Sequence, residues 1–188
     1  MSGHEVRWED RSSLLRSSPD DLLERAADFE PLDFEAGRAA AAWLRQAAQD
    51  GVAVDGTRLA VDERSGALLG FVATRRTTFT LTKSRRVALQ LRRFQLRSGD
   101  QPAIAIDWVA RSARTPPGFG RQLLLATIAG ALADGAGALI VEPSDEGTRE
   151  MWRRQYRFVP FEARQHEGYS HPEWLWFPLG DPGGNWPS

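Results

Sequence analysis

The residues Ile104 to Leu125, IAIDWVARSARTPPGFGRQLLL, combine the types and spacing best suited to chemistry. They read as a buried strand, a Pro/Gly turn and an apolar helix. The first N–H groups of a helix lack an internal partner, and the helix dipole favours negative charge there. Gly118 and Gly120 let a pyrophosphate approach the backbone with no Cβ in the way. The pattern points to a site for a phosphate-bearing ligand.

The elements that must position this turn are legible on both sides. Ser18-Pro19-Asp20-Asp21 reads as a helix start, with Ser18 as cap, Pro19 in the first turn and Asp21 at the capping-box position. A second helix is expected from about Glu35 to Gln49, with Ala40, Trp43, Leu44 and Ala47 on one face and Gly51 as its stop. Arg58–Glu63 and Ala67–Thr74 read as strands around the turn Arg64-Ser65-Gly66, the second continuing toward Phe79 and Leu81. KSRRVALQLRRF fits a strand or a helix. A strand over Ala103–Ala110 precedes the turn, and a helix over Gly120–Asp134 follows it. Ala138–Glu142 is a short apolar strand, Glu146–Tyr156 a helix, and Phe158–Glu162 and Trp174–Leu179 closing strands. The alternation in WLWFPL places Trp174 and Trp176 on one face and Leu175 and Phe177 on the other. The order implies an α/β (α+β) fold: a mixed, mostly antiparallel central sheet flanked by helices, with one right-handed β-α-β crossover. The expected organisation is a single domain over residues 1–180, with 1–30 as a helical extension and 181–188 as a loose tail.

Composition excludes several classes. The 188 residues suit one domain with a sizeable core. The absence of cysteine removes disulfides, Cys-based zinc sites and Cys nucleophiles. His4, His166 and His171 are scattered, so no metal site is expected. No run approaches the length of a membrane span and the opening residues lack the apolar core of a signal peptide, so a cytoplasmic protein is expected. Net charge is −1, but it is unevenly placed. Residues 75–97 carry eight basic side chains and no acid: Arg75, Arg76, Lys83, Arg85, Arg86, Arg92, Arg93 and Arg97. Such a stretch is either a solvated face or a surface for a polyanion such as CoA phosphates or RNA.

Three stretches give the chain a resemblance, over roughly residues 30–180, to the GNAT (Gcn5-related N-acetyltransferase) superfamily. DWVARSARTPPGFGRQLLL is similar to the family's acyl-CoA motif. Gly118, Phe119 and Gly120 stand at its Gly-x-Gly, and Thr115 stands where Arg or Gln is usual, with Arg114 adjacent. ALIVEPSDEGTREMW places Asp145, Thr148 and Trp152 at positions where the family often has Asn or Asp, Ala and Tyr. WRRQYRFVPF resembles the family's Tyr-x-x-x-Gly-Phe ending, with one extra residue and Arg157 in place of Gly. The resemblance implies acetyl-CoA, or another acyl-CoA, as co-substrate. Its pyrophosphate would meet the N–H groups of Phe119, Gly120, Arg121 and Gln122, with Arg114 and Arg121 adding charge. The strand edge around Val109, from Trp108 to Ala110, would pair with the pantetheine amides.

Acyl transfer to an amine needs a neutral amine, a stabilised oxyanion and a departing thiolate. The implied route is direct attack. Asp107 and Glu142, each near the end of a central strand, are the base candidates, since burial there would raise a carboxyl pKa toward a useful range. Alternatively Asp107 only pairs with an arginine. Trp152 replaces the family's Tyr, and an indole N–H is not a practical acid. Tyr156, four residues on, is the replacement candidate. Trp108, Trp174 and Trp176 are core residues or part of an acceptor cage.

The leading reading is an acyl-CoA-dependent N-acyltransferase acting on an amine of a small molecule or peptide. FEPLDFEAGRAAAAWLRQAA is also similar to the start of the GNAT toxins of toxin–antitoxin pairs, which acetylate aminoacyl-tRNA. On that version the basic 75–97 segment would meet RNA. The other class is a catalytically weak or inactive acyl-CoA-binding module. A homodimer is consistent with the family.

Overall fold

The computed structural model describes residues 5–51, 56–81, 99–160 and 174–179. Twelve elements follow the order β1 (Val6–Asp10), α1 (Arg11–Ser17), α2 (Pro19–Asp28), α3 (Glu35–Gln49), β2 (Arg58–Asp62), β3 (Leu68–Leu81), β4 (Gly99–Arg111), α4 (Phe119–Ala133), β5 (Ala138–Val141), α5 (Glu146–Tyr156), β6 (Val159–Pro160) and β7 (Leu175–Pro178). The strands hydrogen-bond in the order β1-β2-β3-β4-β5-β7-β6. β4 and β5 run parallel, Ala103↔Ala138 to Ile106↔Val141, which is the pairing a β-α-β crossover through α4 requires. The pairs β1–β2, β2–β3, β5–β7 and β6–β7 are antiparallel. No described helix is long and apolar enough to cross a membrane.

The described residues fall into two compact units. The first lies within Met1–Arg75 and Asp107–Leu125, the second within Arg76–Ile106 and Ala126–Ser188. In the first, α2 and α3 bury Leu22, Ala26, Phe29, Ala40, Ala41, Leu44 and Ala48 against Leu59 and Val61 of β2, Phe71 of β3 and Ala110 of β4. The alanines let helix and sheet approach closely, and the aromatic rings fill the remaining space. Trp43 stacks between Phe71 and Trp108, with centroids 6.0 Å from each. Arg45 donates from Nη2 to the Phe29 carbonyl at 2.7 Å and from Nε to the Ala26 carbonyl at 3.2 Å. It thereby satisfies carbonyls at the α2 C-terminus that the helix cannot pair. Gly70 marks a close approach of β3 to β4: a Cβ there would lie 2.8 Å from the Ala110 carbonyl. In the second unit Phe79, Ala103, Ala105, Ala138, Ile140, Trp174 and Trp176 form one buried cluster. Trp174 and Trp176 share it, while Phe177 meets Phe158 at 5.4 Å, as the alternation of WLWFPL requires.

Several expectations change. Residues 5–30 hold a strand as well as helices: VRWED forms β1 at one edge of the sheet. An edge strand needs neither a long apolar run nor a clean alternation, so its sequence gave no period to detect. Ser18 occupies the N-cap of α2 but makes no side-chain cap bond, and Asp21 instead pairs with Arg25 at 2.7 Å. Arg11, at the head of α1, is fully buried and donates to the Ala47 carbonyl at the end of α3. Burial pushes its pKa down. Glu142 lies just beyond β5, which ends at Val141. KSRRVALQLRRF lies outside the described residues, as do residues 161–173, with Glu162 among them, and the tail from 180.

Candidate functional site

The turn before α4 is built by its neighbours in the first unit. Ser112 N–H donates to the Leu69 carbonyl at 2.8 Å, and Ala113 N–H to the Glu30 carbonyl at 3.0 Å. Thr115 is buried, and its hydroxyl donates to the Ser112 carbonyl at 2.6 Å. Arg111 Nη1 donates to Thr115 Oγ1 at 3.2 Å and to its carbonyl at 3.3 Å. Thr115 therefore holds the turn from within. Gly118 adopts φ +90°, a backbone that L side chains rarely take, and a Cβ added there would meet nothing within 4 Å. The turn is thus open on the Gly118 side.

The backbone donors of the turn divide. Phe119 N–H donates to the Pro116 carbonyl at 3.2 Å and Arg121 N–H to the Gly118 carbonyl at 2.9 Å. Phe119 itself is buried, so its side chain anchors the head of α4. Gly120 sits in the first helical turn, where the helix offers its N–H no i−4 partner. Of the two arginines expected to add charge, Arg114 reaches Glu30 at 2.9 Å, an exposed pair. Arg121 and Gln122 are exposed on the first turn of α4.

Asp107, Trp108, Val109 and Ala110 follow one another on β4, immediately after the residues registered with β5. Ala110 is buried, and Trp108 and Val109 are half-buried. The Asp107 carboxylate accepts from Arg75 Nε at 2.9 Å, so the arginine pairing is present. Its side chain retains 35% of its exposure. Burial pushes the Asp107 carboxyl up, and the charge and hydrogen bond of Arg75 pull it partly back. Glu142 is exposed and lies beyond the end of β5, so it lacks the burial that made it a base candidate.

The second unit carries Asp145, Trp152 and Tyr156 on or beside α5. Asp145 is the N-cap: its carboxylate accepts from Thr148 N–H at 2.7 Å, Thr148 Oγ1 at 2.8 Å and Ser144 Oγ at 3.0 Å. The backbone and hydroxyl bonds from Thr148 hold its carboxyl below the usual range. Trp152 is only 3% exposed. Its ring meets Tyr156 at 5.2 Å and Phe158 at 4.9 Å, so the i, i+4 neighbours share a helix face. Arg157, where the family's glycine would stand, takes the left-handed conformation φ 62°, ψ 22°. Both Arg157 and Phe158 donate their N–H to the Trp152 carbonyl, closing the helix.

Four participants were not visible in sequence: Arg75 beside Asp107, Trp43 against Trp108, Arg111 on Thr115 and Glu30 on Arg114. Arg75 and Asp107 are 32 positions apart, and Arg114 and Glu30 84. No local spacing signals such pairs. Of the basic stretch 75–97, Arg75 and Arg76 are described, and Arg76 pairs with Asp134 at 3.2 Å. Its other six basic residues lie outside the described residues.

No family model matches the chain, and no curated protein matches it. Solved structures do. AtaT complexed with acetyl-methionyl-tRNAfMet is 14% identical, with 93% of this chain and 95% of that one covered at a TM-score of 0.61. AtaTR bound with AcCoA is 17% identical, with 93% and 94% covered at 0.53. The KacTA–DNA complex is 15% identical, with 93% and 94% covered at 0.54. AtaT is a toxin, and one of its structures holds the C-terminus of the antitoxin AtaR together with acetyl-CoA. The mixed sheet, the parallel β4–β5 pair joined through α4 and the match over nearly the whole length of these structures give this chain the GNAT fold.

Proposed function

We propose that the chain is an acyl-CoA-dependent N-acyltransferase that passes acetyl from acetyl-CoA to an amine by direct attack. The observation that carries this reading is the turn at Gly118: a left-handed glycine with an open outer side at the head of a helix. Such a turn suits a pyrophosphate. With the N–H groups of Phe119 and Arg121 engaged in the turn, Gly120 N–H is the principal backbone donor. Arg121 adds charge, and the β4 edge from Trp108 to Ala110 takes the pantetheine amides. AtaTR bound with AcCoA supports the same co-substrate.

Asp107 is the proposed base. It accepts a proton from the acceptor ammonium, directly or through water. The freed nitrogen lone pair forms the new C–N bond at the thioester carbonyl, and the C–S bond breaks as the oxyanion collapses. Tyr156 is the proposed donor to the departing thiolate, and the second proton shed by the attacking nitrogen as the amide forms restores the phenol. Tyr156→Phe is then expected to lower turnover while CoA affinity holds; unchanged turnover leaves Tyr156 only its packing against Trp152.

The second reading concerns the acceptor. AtaT complexed with acetyl-methionyl-tRNAfMet matches over nearly its full length, which favours the amino group of an aminoacyl-tRNA over a free small-molecule or peptide amine. AtaT also binds the C-terminus of the antitoxin AtaR, which favours a protein partner of that class here. A binding module without turnover is the remaining reading, supported by the buried Trp152 at the family's Tyr position.

One assay separates these. Thiol release from acetyl-CoA is followed with small amines, peptide amines and charged tRNA in turn. Release that requires an amine, with one amide formed per thiol, is the expected result. Release only with charged tRNA identifies the acceptor. CoA binding without release for any acceptor identifies the module, and no CoA binding overturns the assignment of the turn.

A further inference from the structure

Two half-buried arginines of the first unit bond carbonyls rather than carboxylates, and they use different edges of the guanidinium. Arg45 turns Nε and Nη2 to the carbonyls of Ala26 and Phe29. Arg111 bonds with Nη1 alone, to the Thr115 carbonyl at 3.3 Å and to Thr115 Oγ1 at 3.2 Å. Among the described residues, nothing accepts from Nε or Nη2 of Arg111, and no carboxylate pairs with it. Neither nitrogen is a buried atom without a partner, so both reach solvent. Nε and Nη2 share one edge of the planar group, with parallel N–H bonds. That edge fits two oxygens of one phosphate, a geometry that lysine cannot reproduce.

The edge is held in place before any ligand arrives. The Arg111 carbonyl accepts from Leu32 N–H at 3.1 Å, which fixes the backbone at the end of β4. Thr115 is buried, and its hydroxyl donates to the Ser112 carbonyl at 2.6 Å, so the anchor of Nη1 is itself fixed. Most of the ordering cost of a long side chain is then met by the fold, not by binding. The other arginines of the turn differ. Arg114 is neutralised by Glu30 at 2.9 Å, and Arg121 is exposed on the first turn of α4. Strand alternation also sets Arg111 on the β4 face of Asp107 and Val109, opposite Trp108 and Ala110, which pack on the core beneath α2 and α3.

We propose that Arg111 binds the CoA pyrophosphate through Nε and Nη2, as the bidentate, charged complement to the Gly120 N–H. Thr115 then has a binding role at one remove: it aims Arg111. The proposal rests on the acyltransferase reading and adds to it the residue that recognises the charge of the co-substrate.

Calorimetric titration of the full chain with CoA and with dephospho-CoA tests it. Dephospho-CoA keeps the pyrophosphate and lacks the 3′-phosphate. Arg111→Gln is expected to weaken both ligands by about 30-fold, and Arg111→Lys, which keeps the charge without the fork, by about 5-fold. Raising the salt from about 0.05 M to about 0.5 M should narrow the gap between wild type and Arg111→Gln, because a contact between charges is screened. A turn that had merely lost a support would keep the same gap at every salt concentration. Arg111→Lys carries the test if Arg111→Gln does not fold. Unchanged CoA affinity, a gap indifferent to salt, full affinity in Arg111→Lys, or a loss seen with CoA but not with dephospho-CoA would each overturn the role of Arg111 and leave the acyltransferase reading standing. A wild type that binds neither ligand would overturn both.

Discussion

At the turn before α4, Gly118 leaves its outer side open and Thr115 does the holding from within. Along α5, Asp145 caps the helix, Trp152 fills the core and Arg157 closes the end. Both stretches resemble motifs of the same family. In the first, although the N–H groups of Phe119 and Arg121 are engaged in the turn, the outer side of Gly118 stays open and the Arg121 side chain is exposed. In the second, the groups at the motif positions are engaged by the protein's own backbone and side chains. Motif matching counts residue types, while a ligand needs groups that the fold has not already taken. Substitutions in the first stretch should therefore act on binding and rate, and substitutions at Asp145, Trp152 and Arg157 in the second on stability.

The largest expected effect tests the first half of this contrast. Gly120→Glu places a carboxylate against the proposed pyrophosphate position. It should weaken CoA binding by about 1,000-fold, equivalent to roughly 4 kcal/mol, measured by calorimetric titration. Unfolding is not the expected cause, because an acid in the first turn interacts favourably with the helix dipole. Normal CoA affinity in a folded Gly120→Glu variant would remove the turn from the site.

Asp107 is expected to give the next largest effect, on rate. Asp107→Asn should lower kcat/KM by about 100-fold, in line with loss of a general base. The raised Asp107 pKa places the acid limb of the wild-type pH profile above the ordinary carboxylate range, with activity rising as Asp107 deprotonates. Arg75→Gln removes the charge and hydrogen bond that lower this pKa, so the limb should move to higher pH. Stability runs the other way. A raised folded-state pKa contributes stability below the unfolded pKa of about 3.9 and loses it as pH rises through the folded value. Asp107→Asn therefore removes a cost at neutral pH while it lowers turnover. A profile that ignores both substitutions would leave Asp107 as one half of an ion pair.

Where the sequence was readable, the reason is local. The buried positions of α3 repeat within a few residues of one another, and α3 and α5 both have the bounds their patterns predicted. β1 and α1 escaped because a polar edge strand has no period, and the buried Arg11 escaped because its partner on α3 is 36 residues away. Gly118 was legible because its backbone, at φ +90°, suits glycine. The surroundings of Asp107, Trp108 and Thr115 were not, because each depends on a partner or on a degree of burial that only the folded chain supplies.

The cap of α5 supplies a third test, on stability. Asp145→Ala should cost about 1 kcal/mol, the usual value of an N-cap, measured by urea denaturation at neutral pH. Because bonding to Thr148 lowers the Asp145 pKa, its contribution is complete above the unfolded value and fades as pH falls through the folded one. The gap between wild type and variant should therefore close below about pH 4. A large loss of CoA affinity with stability intact would instead place Asp145 among the ligand contacts and break the contrast between the two stretches.

The smallest effect is the sharpest, because its sign is opposite to that of most substitutions. Arg157 holds φ +62° at the end of α5, where the family pattern has glycine. A side chain in that region crowds its own carbonyl, and glycine avoids the crowding at some cost in unfolded-state entropy. Arg157→Gly should stabilise the chain by about 0.5–1 kcal/mol, read as a higher urea midpoint at unchanged slope. The N–H bonds to the Trp152 carbonyl need only the backbone, so the helix end survives the change. Destabilisation would mean that the Arg157 side chain makes contacts worth more than the backbone strain, and α5 would then end on a side chain rather than on a conformation.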